Sequence, residues 1–288
     1  MSRKPRSAGT IERCAPPRGG ALRTVLCVGG VDPAGCAGLA ADLRAVQALG
    51  GHGLPVVTAV TVQDTRRVSA VAPLPPRLVR AQIDAVLGDV GARAVKIGML
   101  ATAPVARAVA AALARHRCPA VVLDPVLRST TGGALLDGAG RAVLVRRLFP
   151  LAAVVTPNIP EAEALLGAKI RGEKGMVAAA RALLALGPGA VLLKGGHRRG
   201  QALDVFADDR RTFVLGAPRV RTANTRGTGC LLAAAIAVHL ARGLPALEAA
   251  RRAKAFVLEA IRRSYPLGSG RGPANGCEAA ARAAGPAA

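Results

Sequence analysis

Tryptophan is absent from the 288 residues, tyrosine occurs once and phenylalanine four times, so aromatic side chains make up 2% of the chain. A core so poor in rings has to be packed from Ala, Val and Leu. The flat platforms on which single-stranded nucleic acid stacks are missing too. Acidic residues are scarce, 17 against 40 Lys and Arg, for a formal net charge of +23. Such a balance alone would point to a nucleic-acid partner, but the basic residues are spread along the chain rather than gathered into one patch. An Arg-rich surface on a soluble protein is the preferred reading, and nucleic acid is not expected as a partner. That surface would still attract small anions, phosphates above all.

Long apolar runs are missing as well. The longest stretch without charge, 45–63, is broken by Gly50, Gly51, Gly53 and Pro55, whereas a membrane helix needs roughly 20 continuous apolar residues. No membrane partner is expected. The six cysteines, Cys14, Cys27, Cys36, Cys118, Cys230 and Cys277, contain no C-x-x-C pair and no histidine at metal-ligand spacing, which excludes metal fingers and redox dithiols. With 51% hydrophobic residues the chain can build a core without disulfides. Free thiols in a reducing cytoplasm are therefore expected. Residues 1–22 carry Arg3, Lys4, Arg6, Arg13 and Arg18 against Glu12 and have no apolar centre. They read as a basic flexible tail and not as a secretory signal.

From residue 23 onward, short apolar runs alternate with Ala/Leu/Arg stretches. The runs at 24–28, 56–62, 94–97, 120–123, 153–156 and 190–193 lack polar alternation, as expected of parallel strands buried on both faces. The pieces at 37–49, 76–87, 104–115 and 177–186 have helical composition and spacing. Such alternation predicts an α/β fold, a three-layer sandwich with a mostly parallel central sheet and helices on both faces. Residues 203–206 and 212–215, separated by Asp208-Asp209-Arg210, read as an antiparallel hairpin. Helices are expected over 228–240 and 245–263. The domain is expected to span 23–276 without a linker, followed by a frayed tail over 277–288.

Several strands end in residues able to do chemistry. Asp124 follows the run 120–123, Asn158 and Glu161 follow 153–156, and Lys194 and His197 follow 190–193. In open α/β sheets, ligands bind beyond the carboxyl ends of strands, so these residues could gather in one cleft suited to a Mg²⁺-bound phosphate. There is no P-loop and no G-x-G-x-x-G. The phosphate candidate is instead Asn224-Thr225-Arg226-Gly227-Thr228-Gly229-Cys230, which runs directly into a helix. A helix N-terminus would lower the pKa of Cys230 and fit it as a base, while a plain tight cap is the alternative. A second glycine-rich loop, Gly29 to Gly38, contains Asp32 and leads to Asp42. It reads as a strand–helix turn with Asp32 as its polar residue, or as a loop closing on a flat ligand. His52, His116 and His239 have no partner in view, Met176 and Phe256 fall in helical core pattern, and Cys14, Cys118 and Cys277 are expected to be inert.

The segments VGGVDPAGCAGLAADLRAVQALG, VVTAVTVQDT, VKIGML, VVLDPV, VVTPNIPEAEALLG, VLLKGGH and NTRGTGC, and the closing RRAKAFVLEAIRRSYPLGSGRGPANG, occur in this order. Together they resemble the hydroxymethylpyrimidine/phosphomethylpyrimidine kinases of thiamine biosynthesis, in the ribokinase-like superfamily. The likeness runs from Val25 to Asn275. It implies an ATP- and Mg²⁺-dependent kinase that phosphorylates 4-amino-5-hydroxymethyl-2-methylpyrimidine and then its monophosphate, as a cytoplasmic homodimer. Cys230 would be the catalytic base, with Gly227, Thr228 and Gly229 as the anion hole. Asp124 and Glu161 would organise the metal, and Lys194, Asn158 and Thr225 would serve the nucleotide. Gln63, Gly30, Asp42 and Met99 would form the substrate pocket.

Four positions depart from the family pattern. Cys36 stands where a glycine is usual, Asp64 where Asn is common, Arg226 where His is common, and Gly276 where the tail usually has His. Cys36 would crowd its loop and Arg226 would set a cation beside the phosphates. The enzyme alternative is a pyridoxine/pyridoxal kinase of the same superfamily, disfavoured by Gln63 and Cys230. The alternative from another class is a basic binding protein that lost catalysis on the same fold, disfavoured by the intact Asp124, Glu161, Lys194 and Cys230. No thiamine-phosphate synthase module is evident.

Overall fold

The computed structural model describes residues 23–283 except 119, 129–132, 134 and 197–201. The basic segment 1–22 with Cys14, His197 and the last five residues lie outside the described residues. Nine strands form one sheet: β1 (Arg23–Val31), β2 (Gly51–Gln63), β3 (Val68–Pro73), β4 (Ala94–Ile97), β5 (Val121–Leu123), β6 (Val154–Val155), β7 (Ala190–Lys194), β8 (Asp204–Asp208) and β9 (Thr212–Leu215), in the order β3-β2-β1-β4-β5-β6-β7-β8-β9. The six strands from β2 to β7 across this order pair in parallel, while β3, β8 and β9 are joined at the two edges by antiparallel pairing. The order reverses at β1, whose neighbours are β2 and β4, and this makes a crevice at their carboxyl ends.

Helices cover both faces. On one side α2 (Pro76–Asp89), α3 (Ala103–His116) and α6 (Gly172–Leu184) bury Val79, Ile83, Val109, Leu113, Met176 and Leu183 against the sheet. On the other, α1 (Gly38–Ala48), α7 (Thr228–Ala241) and α8 (Ala246–Arg262) contribute an alanine-rich layer. Residues 231–239 of α7 are all buried, as expected of a helix apolar on every side. Two short helices, α4 (Gly138–Val143) and α5 (Ile159–Leu166), complete the first face.

One strand was not anticipated and two expectations are corrected. β3 gave no readable signal, because it is a short edge strand whose residues are mostly exposed and carry no apolar run. α6 begins at Gly172, earlier than the apolar pattern from 177 suggested, since its first turn, Gly-Glu-Lys-Gly, is solvated. The segment expected to fray from Cys277 instead forms α9 (Gly276–Ala283), which packs on α1 and α8 and buries Ala279.

Candidate active site

Asp124 follows β5 and is buried, its Oδ1 accepting from Lys194 Nζ at 2.8 Å and Thr156 Oγ1 at 3.1 Å. Lys194 ends β7, where its N–H donates to Pro157 O and its backbone bridges to Asn158. Burial alone would lower the Lys194 pKa, but Asp124 and Glu161 outweigh it and hold the ammonium above its usual value. Asn158 and Glu161 close a reciprocal cap at the start of α5, with Asn158 N–H donating to Glu161 Oε2 at 2.8 Å and Glu161 N–H to Asn158 Oδ1 at 2.9 Å. Burial pushes the Glu161 acid up to about 7, with Lys194 opposing and Asp124 adding to the rise. A Cβ on Gly229 would stand 3.4 Å from Lys194 Nζ and 3.5 Å from Asp124 Oδ2. Three strand ends and the start of α7 thus bring Asp124, Asn158, Glu161, Lys194 and Gly229 together.

Gly227 has φ +77°, and a Cβ there would lie 2.2 Å from Cys36 O. Only glycine turns the chain at this point. Thr228 Oγ1 donates to Thr225 O at 3.1 Å, bracing the same turn. The expectation that the helix N-terminus lowers the Cys230 pKa is corrected. Burial pushes the thiol up to about 11, and Asp42 and Asp124 act in the same direction. Lys96 and the Gly38 N–H, which donates to the sulfur, favour the thiolate but do not prevail.

Lys96 gave no functional signal in the sequence beyond being a lone cation in the apolar strand Ala94–Ile97. Its Nζ donates to Asp42 Oδ2 at 2.7 Å, with both side chains essentially unexposed. Asp42, expected in the substrate pocket, is thus engaged by Lys96 through one oxygen, while its Oδ1 has no partner. Gly30 and Met99 do come together, a Cβ on Gly30 standing 3.0 Å from Met99 Sδ. Gln63 ends β2 and is half-buried. It lines an open cavity of about 510 Å³ with Pro33, Ala34, Asp64, Arg66 and Leu267. The Gln63 carboxamide accepts from Thr61 Oγ1 at 3.4 Å.

Two of the departures settle into the loops. Arg226 is 3% exposed and is engaged within the protein, donating to Asp64 O at 2.9 Å and reaching Asp32 Oδ2 at 3.5 Å. Asp32 is the hub of its turn, accepting from the N–H groups of Ala34, Cys36 and Ala37. Cys36 does not crowd the loop, because its thiol is tucked into the turn against Ala34 O. Asp204 was also missed. It accepts from the Gly195 N–H at 2.9 Å and from Lys254, tying the loop after Lys194 to α8. His116 has a partner after all, Asp84 at 2.7 Å, while His239 is buried with Nδ1 unpaired and His52 is exposed. Met176 and Phe256 are buried. Among the described residues no cluster of three or more His, Cys, Asp or Glu is placed to hold a metal, and no helix is long and apolar enough to cross a membrane.

The phosphomethylpyrimidine kinase family model matches residues 32–275. The chain is 48% identical over 267 residues to the thiamine biosynthesis bifunctional protein ThiED of Geobacter sulfurreducens, covering 92% of this chain but 54% of that protein. It is 45% identical to the hydroxymethylpyrimidine/phosphomethylpyrimidine kinase of Streptomyces coelicolor, covering 86% and 92%. Among solved structures, the ADP complex of Bacillus subtilis pyridoxal kinase superposes with a TM-score of 0.82 at 31% identity, over 88% of this chain and 97% of that one. The phosphomethylpyrimidine kinase of Clostridium difficile superposes with a TM-score of 0.74 at 36% identity, over 84% and 100%. The folds are ribokinase-like. With a family model covering most of its length and relatives so similar across theirs, the chain belongs to the phosphomethylpyrimidine kinase family and is a phosphotransferase.

Proposed function

We propose that the chain transfers the γ-phosphoryl group of ATP to the primary alcohol of 4-amino-5-hydroxymethyl-2-methylpyrimidine, and then a second phosphoryl group to the resulting monophosphate, in thiamine biosynthesis. The observation that carries this reading is the convergence of Asp124, Lys194 and the Gly227–Cys230 turn at the carboxyl ends of the parallel strands. In the first step Cys230 takes the alcohol proton in its minor thiolate form, which Lys96 and the Gly38 N–H favour against burial. The oxygen bonds to the γ-phosphorus as the bond to the departing ADP oxygen breaks. The N–H groups at Gly227, Thr228 and Gly229 would receive the charge on the transferring group, with Lys194, Asn158 and Thr225 on the nucleotide side. Glu161 and Asp124 raise the cost of each other's negative charge, which a hard dication with oxygen ligands would relieve. Asp124 and Glu161 would hold Mg²⁺, which neutralises phosphate charge when bound. Gln63 would read the aminopyrimidine, its carboxamide offering a donor and an acceptor side by side, with Gly30, Met99 and Asp42 around the ring.

None of the five described cysteines forms a disulfide, and placement in a reducing cytoplasm is part of this proposal. Exposed Val60 and Val62 on β2 are compatible with a homodimer, a state that sedimentation would test. The structural likeness to pyridoxal kinases keeps pyridoxal chemistry as the second reading. Measuring ADP release with the pyrimidine alcohol and with pyridoxine, side by side, decides between them. Turnover of the pyrimidine through to the diphosphate is expected, and turnover of pyridoxine alone would overturn the substrate. No turnover of either would return the inactive binding protein to consideration.

A further inference from the structure

Arg226 stands immediately before the Gly227–Cys230 turn, and its guanidinium engages two other loops. One terminal nitrogen donates to the carbonyl of Asp64, in the turn after β2, at 2.9 Å. The other lies 3.5 Å from Asp32 Oδ2, in the loop after β1, with both side chains 3–4% exposed. Its Nε is buried without a partner. The backbone of Arg226 engages a third segment: its N–H donates to Gly272 O at 3.1 Å and its carbonyl accepts from Ala274 at 3.2 Å. That third segment is itself tied to the turn after β2, since Gly270 N–H donates to Thr65 Oγ1 at 3.0 Å and Arg271 N–H to Thr65 O at 3.2 Å. Asp32, at the other end of the clamp, holds the N–H groups of Ala34, Cys36 and Ala37.

Burying a guanidinium with one N–H unpaired is a poor way to gain stability, because desolvation offsets most of what the pair returns. What the arrangement does supply is one fixed geometry for loops far apart in sequence. The planar fork can satisfy Asp64 O and Asp32 together only when the two loops hold one spacing. The carbonyl of Cys36 then sits against Gly227, leaving no room for a side chain there.

We propose that Arg226 is a positioning residue that couples the alcohol-binding loops, through Asp32 and Asp64, to the turn that receives the transferring phosphoryl group. This rests on the kinase reading above and deepens it. Arg226 touches neither substrate in this role and acts through Asp32 and the Asp64 carbonyl.

The experiment compares wild type with Arg226→Lys, Arg226→Met, Asp32→Asn and the Arg226→Met/Asp32→Asn double variant. Steady-state kinetics with the pyrimidine alcohol and ATP gives kcat and both KM values. The expected result for Arg226→Met is a fall in kcat/KM for the alcohol of about 10- to 100-fold, as for a misplacement on the ångström scale, with KM for ATP unchanged. Arg226→Lys keeps the charge but not the fork and is expected to recover only part of the loss. The double variant is expected to lose no more than the worse single variant, because both substitutions break the same clamp. A raised KM for ATP in Arg226→Met alone would mean direct phosphate contact and overturn the proposal, as would additive losses. Hydrogen exchange gives a readout independent of turnover. In Arg226→Lys the amides of 34–37 and 64–67 are expected to lose protection together, and protection unchanged in either segment would overturn the clamp. If wild type fails to phosphorylate the alcohol, the substrate reading falls, while the exchange data still judge the clamp.

Discussion

Cys230 is a thiol whose surroundings compete over one proton. Burial, Asp42 and Asp124 hold the proton on sulfur, at a pKa of about 11, against Lys96 and the Gly38 N–H. At neutral pH the resting group is therefore a thiol, and its thiolate fraction should climb with pH. Peptide-resolved alkylation of Cys230 by iodoacetamide is expected to accelerate from pH 7 to pH 9.5 without a plateau. A plateau below pH 8 would mean that the helix N-terminus dominates after all. The base role carries its own expectation, because the alcohol must lose a proton whereas the monophosphate attacks with an oxygen already acidic. Cys230→Ala should slow phosphorylation of the alcohol by about 10²- to 10⁴-fold and of the monophosphate distinctly less, each followed by ADP release. Equal losses in the two steps would remove Cys230 from the base role.

At the scale of elements, the start of α7 is where backbone geometry admits one residue type. Gly227 combines φ +77° with a Cβ position 2.2 Å from the carbonyl oxygen of Cys36. Gly227→Ala adds left-handed strain to a clash with backbone, at a cost of about 1–3 kcal/mol for the strain alone. A lowered melting temperature together with lost turnover is expected, and unchanged turnover would show that the turn does not shape the anion hole. The glycine turn was legible in the sequence because Gly-Thr-Gly precedes an apolar helix, and the parallel strands were legible because each is built around a mostly apolar run. β3 was not, since an edge strand paired on one side needs no such run. Lys96, Arg226 and Asp204 were illegible as partners for another reason. Lys96 meets Asp42 across 54 residues and Arg226 meets Asp32 across 194, and no local pattern encodes such distances. A charged residue inside a buried strand, as in Ala94–Ile97, is the one local sign that a distant partner must exist.

Over the whole molecule, two apolar layers flank the sheet with few rings between them. Phe149, Phe206 and Phe256 are buried, and the guanidinium carbons of Arg211 and Arg251 each lie 5.4 Å from the centroid of Phe213. Into the alanine-rich layer the chain places His239, 5% exposed and with Nδ1 unpaired. Burial, then Arg242 and Arg252, push its pKa down to about 4, with Glu248 opposing. The folded protein therefore keeps this imidazole neutral, while the unfolded chain takes up a proton below about pH 6.5. Stability is lost as pH falls from 6.5 towards 4 and no further from this group below that. The shift corresponds to a loss on the order of 3 kcal/mol, a large share of the 5–15 kcal/mol usual for a folded domain. The carboxylates of Asp64, Glu163, Glu248 and Glu259, held low by hydrogen bonds and neighbouring cations, add losses at lower pH. Urea unfolding at pH 7.5 and pH 5 isolates His239 when wild type is compared with His239→Leu, which removes the titrating group and needs no hydrogen-bond partner. The variant is expected to lose markedly less stability between the two pH values. An identical drop in both proteins would show that His239 is not the group through which mild acid loosens this helical layer.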